Sequence, residues 1–178
     1  MKNLTSWVVI LLVCTSAAFA AEQNEALAKT LEPFRPILGK TWKGHFKKST
    51  PEKPLVDVSR WERALNGQAI RILHSVNNGS YGGESILMAN PQTGTVEFYY
   101  FTTAGFLTRG TVTFEGGKIL TREEVTGSKE GITEVKATTE LQSDGKLHVK
   151  SEYLKEGNWV PGHDILYEVS ADSQVVFK

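Results

Sequence analysis

The residues in this chain that could do chemistry stand singly along apolar, strand-like runs. In Gln68 to Val76, the set Ile70, Ile72, His74 and Val76 alternates with Ala69, Arg71, Leu73 and Ser75. Each face of a strand there carries one titratable group among apolar neighbours, so either His74 or Arg71 faces a core. In Val56 to Leu65, Val58, Arg60 and Glu62 alternate with Ser59, Trp61 and Arg63, and the pattern does not choose between the faces. Glu84 shares its face with Ile86 and Met88, and Tyr100 shares its face with Phe98. An inward Arg60 or Arg71 could grip a ligand carboxylate with both arms of its guanidinium, or could pair with Glu62 or Glu84. His74 suits either a hydrogen-bonded core histidine or an acid-base group. Tyr99 and Tyr100 suit the wall of a binding site, with hydroxyls to orient a bound molecule. Arg60, Trp61, Arg71, His74, Glu84, Tyr99 and Tyr100 are therefore the candidate ligand-binding set.

Signatures of known catalysis are missing. Gly79-Ser80-Tyr81-Gly82 lacks the Gly-x-Ser-x-Gly spacing of a nucleophile elbow, and its serine adjoins an Asn-Gly turn. There is no His-Glu-x-x-His, no Cys-x-x-Cys-His and no glycine-rich phosphate loop. His45, His74, His148 and His163 fall on four different predicted strands, so their spacing selects no metal site. Glu123 and Glu124 point to opposite faces of one strand and cannot work as a pair.

Ten strand-like runs must position these groups: Thr41 to Lys48, Val56 to Leu65, Gln68 to Val76, Tyr81 to Asn90, Thr95 to Thr103, Phe106 to Glu115, Lys118 to Thr126, Ile132 to Gln142, Lys146 to Lys155, and Trp159 to Val169. Asn66-Gly67, Asn77-Asn78-Gly79, Gly116-Gly117 and Asp144-Gly145 punctuate them as hairpin turns. The hairpin from Thr95 to Glu115 holds six of the seventeen aromatic residues, a surface that needs burial against its neighbours. Short connections throughout predict an all-β, ten-stranded antiparallel up-and-down meander, closed into a barrel because closure removes the edges. A β-sandwich is the alternative.

One short helix is expected, within Glu22 to Leu38, where Leu27, Leu31, Phe34 and Leu38 form one apolar stripe. Pro33 and Pro36 should end its regular part near Glu32. The helix would lid one end of the strands. Residues 1–20 read as a secretory signal peptide, with Lys2, an apolar run from Trp7 and Ala18-Phe19-Ala20 before the cut. The run is too short to span a bilayer, so no stable membrane insertion is expected after cleavage. The expected organisation is residues 1–20 signal, 21–40 helix and lead-in, and 41–178 barrel, in a periplasmic or secreted protein.

Cleavage would remove Cys14, the single cysteine, and leave a fold without disulfides or thiolate ligands. The remaining charge, nineteen basic against twenty acidic residues with the signs interspersed, offers nucleic acid no basic face. A monomer or homodimer is expected.

Thr41-Trp42-Lys43-Gly44, which follows Gly39-Lys40 and opens the meander after a helix, resembles the calycin group: lipocalins, fatty-acid-binding proteins and nitrobindin-like barrels. The chain also resembles small exported bacterial barrel proteins of unknown function. Nitrobindin-like chains open with Gly-Thr-Trp-x-Gly, and Lys40 here interrupts that motif. The resemblance implies that Trp42 packs across the closed end of the barrel. It also implies haem as an alternative cofactor, held by a histidine on a late strand. His163 is the matching position and His148 the second, and Pro161-Gly162 suggests a bulge that could aim His163. Otherwise no cofactor or metal is expected.

The function expected from these residues is the binding of a small hydrophobic molecule with one or two polar groups in the barrel interior. The alternatives are acid-base enzyme chemistry in the same cavity, with His74 or Glu84 as base and Tyr100 as donor, and a solid barrel with a structural role.

Overall fold

The computed structural model describes residues 26–178, and the expected signal peptide lies outside them. Ten antiparallel strands close into one barrel: β1 (Lys40–Phe46), β2 (Val56–Ala64), β3 (Ala69–Val76), β4 (Tyr81–Ala89), β5 (Val96–Thr102), β6 (Leu107–Glu115), β7 (Lys118–Glu124), β8 (Ile132–Leu141), β9 (Leu147–Lys155) and β10 (Asn158–Val169). Each strand pairs with its sequence neighbours, and β1 closes on β10 through pairs from Trp42 with Val169 to Phe46 with Ile165. The expected runs match the strands to within about two residues at their ends. Closure pairs every strand on both sides, so no row of backbone groups is left at an edge.

The lid differs from expectation. Lys29–Ile37 is a 3-10 helix that runs through both prolines. Proline lacks an N–H and clashes with the carbonyl four residues back, which blocks the α-helix, while the tighter turn survives. Its period of three places Leu31, Phe34 and Ile37 on the buried face, in place of the 3.6-period stripe.

Trp42, wholly buried, lies beneath this lid and donates its indole N–H to the Ile37 carbonyl at 3.2 Å. Phe34 meets Phe114 edge-on at 5.3 Å and Trp61 at 6.1 Å. Ile70, Leu87, Val96, Phe98, Val112 and Leu147 complete the apolar packing at this closed end. The central hairpin buries only half of its aromatic surface: Phe98 and Tyr100 point inward, while Tyr99, Phe101 and Phe106 are exposed. The expected cover for that outer half does not come from the flanking hairpins.

One glycine shapes the wall. Gly110 pairs with Phe98 across β5 and β6, and a Cβ there would stand 2.6 Å from the Phe98 ring and closer still to the Arg122 carbonyl oxygen. Gly110→Ala should therefore cost about 1–3 kcal/mol through overpacking, read from urea unfolding. A neutral result would mean that Phe98 moves aside freely.

Candidate functional site

Strand alternation divides the barrel into two halves. At the lid end the inward side chains are apolar and tightly buried. At the opposite end the inward positions carry Asp57, His74, Tyr81, Tyr100, Thr108, Glu123, Ser151, Tyr153 and His163, with several only half-buried. Polar side chains survive on an inward wall only where they find partners or water.

The best-connected group begins at Asp57, the second residue of β2. Its carboxylate, 3% exposed, accepts from His74 Nδ1 at 2.8 Å and from the Tyr167 hydroxyl at 2.9 Å. His74 Nε2 lies 2.7 Å from the Tyr100 hydroxyl, which in turn donates to the Tyr81 hydroxyl at 3.0 Å. A chain Tyr167–Asp57–His74–Tyr100–Tyr81 thus links four strands and β10. His74 thus uses both ring nitrogens to bridge the Asp57 carboxylate and the Tyr100 hydroxyl. Burial pushes the Tyr100 and Tyr81 phenols above their usual pKa, and burial beside Asp57 does the same to Tyr167. All three remain neutral donors across the physiological range.

Glu123 faces the same space from β7 and accepts a short hydrogen bond from the Thr108 hydroxyl. Burial raises its pKa, and the Thr108 bond opposes that shift only in part. His163 sits at the mouth, where the register shifts between Pro161 and Asp164. The sequence anticipated that irregularity. Its ring meets Phe46 edge-on at 5.1 Å and Tyr153 at 5.5 Å. Burial against this aromatic surface, with Lys48 nearby, lowers its pKa and favours the neutral imidazole.

The candidate set divides by wall. His74 and Tyr100 line the open half. Trp61 also points inward, but it packs under the lid at the closed end, away from the mouth. Arg60, Arg71, Glu84 and Tyr99 stand on the outer face, so of the two alternatives on β3 it is His74 that faces inward. Arg71 grips Glu84 with both arms at 2.8 and 2.9 Å, and Arg60 binds Glu62 at 2.7 Å and Thr41 at 3.2 Å. Arg60 and Glu62 thus join Arg71 and Glu84 in one network over the outside of β2 to β4, while Arg63, on the other face of β2, binds the Ala26 carbonyl at 2.8 Å. Trp159 is likewise on the outer wall, under Lys136 at 3.8 Å, and does not cap the mouth. His148 faces outward and binds Asp164 at 2.7 Å.

Asp57, Tyr81, Glu123 and Tyr153 belong to the open half and are absent from the sequence-derived set. Parity was available for each: Asp57 shares its face with Ser59 and Trp61, and Glu123 with Ile119 and Thr121. Among the described residues no three His, Cys, Asp or Glu side chains converge as metal ligands.

No family profile matches the chain, and no curated protein does. Among solved structures, the crystal structure of Rv2717c from M. tuberculosis is similar over 81% of this chain and 98% of its own, at 15% identity and a TM-score of 0.53. At that identity the likeness concerns the fold alone. It agrees with the closed ten-stranded antiparallel barrel.

A trough of about 530 Å³ over β8 to β10 is lined by Lys136, His148, Lys150 and Asp164 on the outer wall and reaches Ser151 and His163 at the bulge. Its outer charges are largely engaged with one another, as in His148–Asp164 and Lys118–Glu140. The candidate site is the inward polar group of Asp57, His74, Tyr100 and Glu123.

Proposed function

We propose that this chain is an exported, calycin-like barrel that holds a small, largely apolar molecule in the open half of its interior. The contrast between the two ends carries the reading: one is packed solid with side chains, and the other presents half-buried tyrosines, His74 and Glu123 beside Ile72 and Val149. A ligand's apolar body would rest on the packed end, and its polar group would meet the Asp57–His74–Tyr100 chain. Pocket walls of this kind, apolar with a few convergent polar groups, are the usual form of small-molecule sites. The outer wall, laced with ion pairs, is consistent with a chain that stays in water after export.

Native mass spectrometry of the protein purified from its own compartment tests this directly. The expected result is a retained mass of a few hundred daltons. Tyr100→Phe, which keeps the wall but removes the hydroxyl, should weaken retention about tenfold, the worth of one hydrogen bond. A bare polypeptide that also gains no ligand from a periplasmic extract would remove the reading.

A second reading, haem binding, is favoured by His163. Burial lowers its pKa, and its ring nitrogens make no hydrogen bond among the described residues, while its backbone N–H donates to Ser151 Oγ at 2.7 Å. His163 would supply an axial imidazole between Phe46 and Tyr153, and the haem would supply redox and diatomic-gas chemistry. A Soret band lost in His163→Ala would put this reading first.

A further inference from the structure

We propose that the ligand of the open half is an organic cation, an amine carried on an apolar body, and that Glu123 is its counter-ion; this rests on the small-molecule reading above. Glu123 points into the barrel from β7, and its one hydrogen-bond partner among the described residues is the neutral Thr108 hydroxyl. Among the described residues no lysine or arginine stands on the inward face of the open half: Arg60 and Arg71 are outside and already paired. His74 is already engaged by Asp57 and Tyr100. Lys48 lies near His163 at the mouth, and no cation acts on Glu123 itself. A cation finds a carboxylate without a counter-ion.

The surroundings fit the same class. Tyr81, Tyr100 and Tyr153 lie within electrostatic reach of Glu123, and Thr108 is the cross-strand neighbour of Tyr100. Aromatic faces around a carboxylate attract a desolvated ammonium through the ring quadrupole as well as by charge. A buried carboxylate lacking such a partner costs the fold stability, and so a bound cation would offset that cost.

The test uses three naphthalene probes of one shape and different charge: 1-naphthylmethylamine, 1-naphthalenemethanol and 1-naphthoate, titrated at pH 7 against the wild type and Glu123→Gln. The amine should bind at least tenfold tighter than the alcohol. Glu123→Gln should abolish the amine's advantage over the alcohol. Equal affinity of amine and alcohol, tighter binding of the naphthoate, or an unmoved amine in the variant would each overturn the proposal while leaving the binding barrel intact. Failure of all three probes would count against the small-molecule reading itself.

Glutamine keeps an acceptor for Thr108, so the variant should fold. It should also melt a few degrees higher than the wild type at pH 7. Because the folded pKa of Glu123 is raised above 4.5, the wild type loses stability as pH rises through that folded value. The groups facing it, Tyr81, Tyr100 and Tyr153, stay neutral there. Below about pH 4 the carboxyl is protonated in both folded and unfolded chains, and the two melting curves should converge.

Discussion

Trp42→Ala is expected to lower stability by about 3–5 kcal/mol, the cost of truncating a large buried aromatic and leaving a cavity. Trp42 is wholly buried, pairs with Val169 where β1 closes on β10, and ties β1 to the lid through the Ile37 carbonyl. Its loss therefore removes packing under Leu31 and Phe34 and orphans a lid carbonyl at once. For a domain of this size the melting temperature should fall by roughly 10 °C or more. Trp159→Ala supplies the control, because that indole lies on the outer wall with Lys136 over its face. An exposed cation-π contact is worth about 0.5–1 kcal/mol, so the two tryptophans should differ several-fold in urea unfolding. Equal losses would mean that the lid is not seated on Trp42 as described.

That contrast also measures what the sequence can say. Trp42 was assigned to the closed end by the Thr-Trp-x-Gly opening. The strands were legible because Asn-Gly, Gly-Gly and Asp-Gly mark turns whose backbone only such residues adopt readily: Asn78 and Gly79, for instance, both take positive φ, at 56° and 89°. The inward face of β2 was not legible, since Glu62 and Arg63 put charge on both sides. What decides it is a network across three strands, Arg60–Glu62–Arg71–Glu84, and cross-strand neighbours are invisible to a pattern read along one strand. The same blindness hid Asp57, which stands near the start of β2 and finds Tyr167 110 residues away. Along the strand, Glu123 and Glu124 alternate between faces and cannot pair. In the barrel that very separation matters: one carboxylate enters the interior, and the other binds Arg109 on the outside at 3.0 Å.

Asp57→Ala should cost about 2–4 kcal/mol, because it strips acceptors from two donors on an inward wall, each worth roughly 1–3 kcal/mol when orphaned. Tyr167 is buried and has no route to water, so its hydroxyl bears the fuller loss. His74, whose side chain is 23% exposed, can recover part of its share from solvent. Asp57→Asn separates charge from shape. Its single carbonyl oxygen can accept from His74 or from Tyr167 but not from both, so about half of the alanine penalty should remain. The introduced amide can also turn its NH2 toward Nδ1, so the ring is no longer held to donate there and its hydrogen-bonding pattern should change. Nitrogen-15 shifts of the His74 ring read that change. An unchanged ring spectrum in Asp57→Asn, with a stability loss under about 1 kcal/mol in Asp57→Ala, would mean that Asp57 does not organise the chain. If the ring changes, the Tyr100 and Tyr81 hydroxyls must reorient with it, because one chain of hydrogen bonds links all three. Any ligand group held at Tyr81 would then meet an oxygen with a different free lone pair, and affinity would change without any residue in contact with the ligand having been replaced.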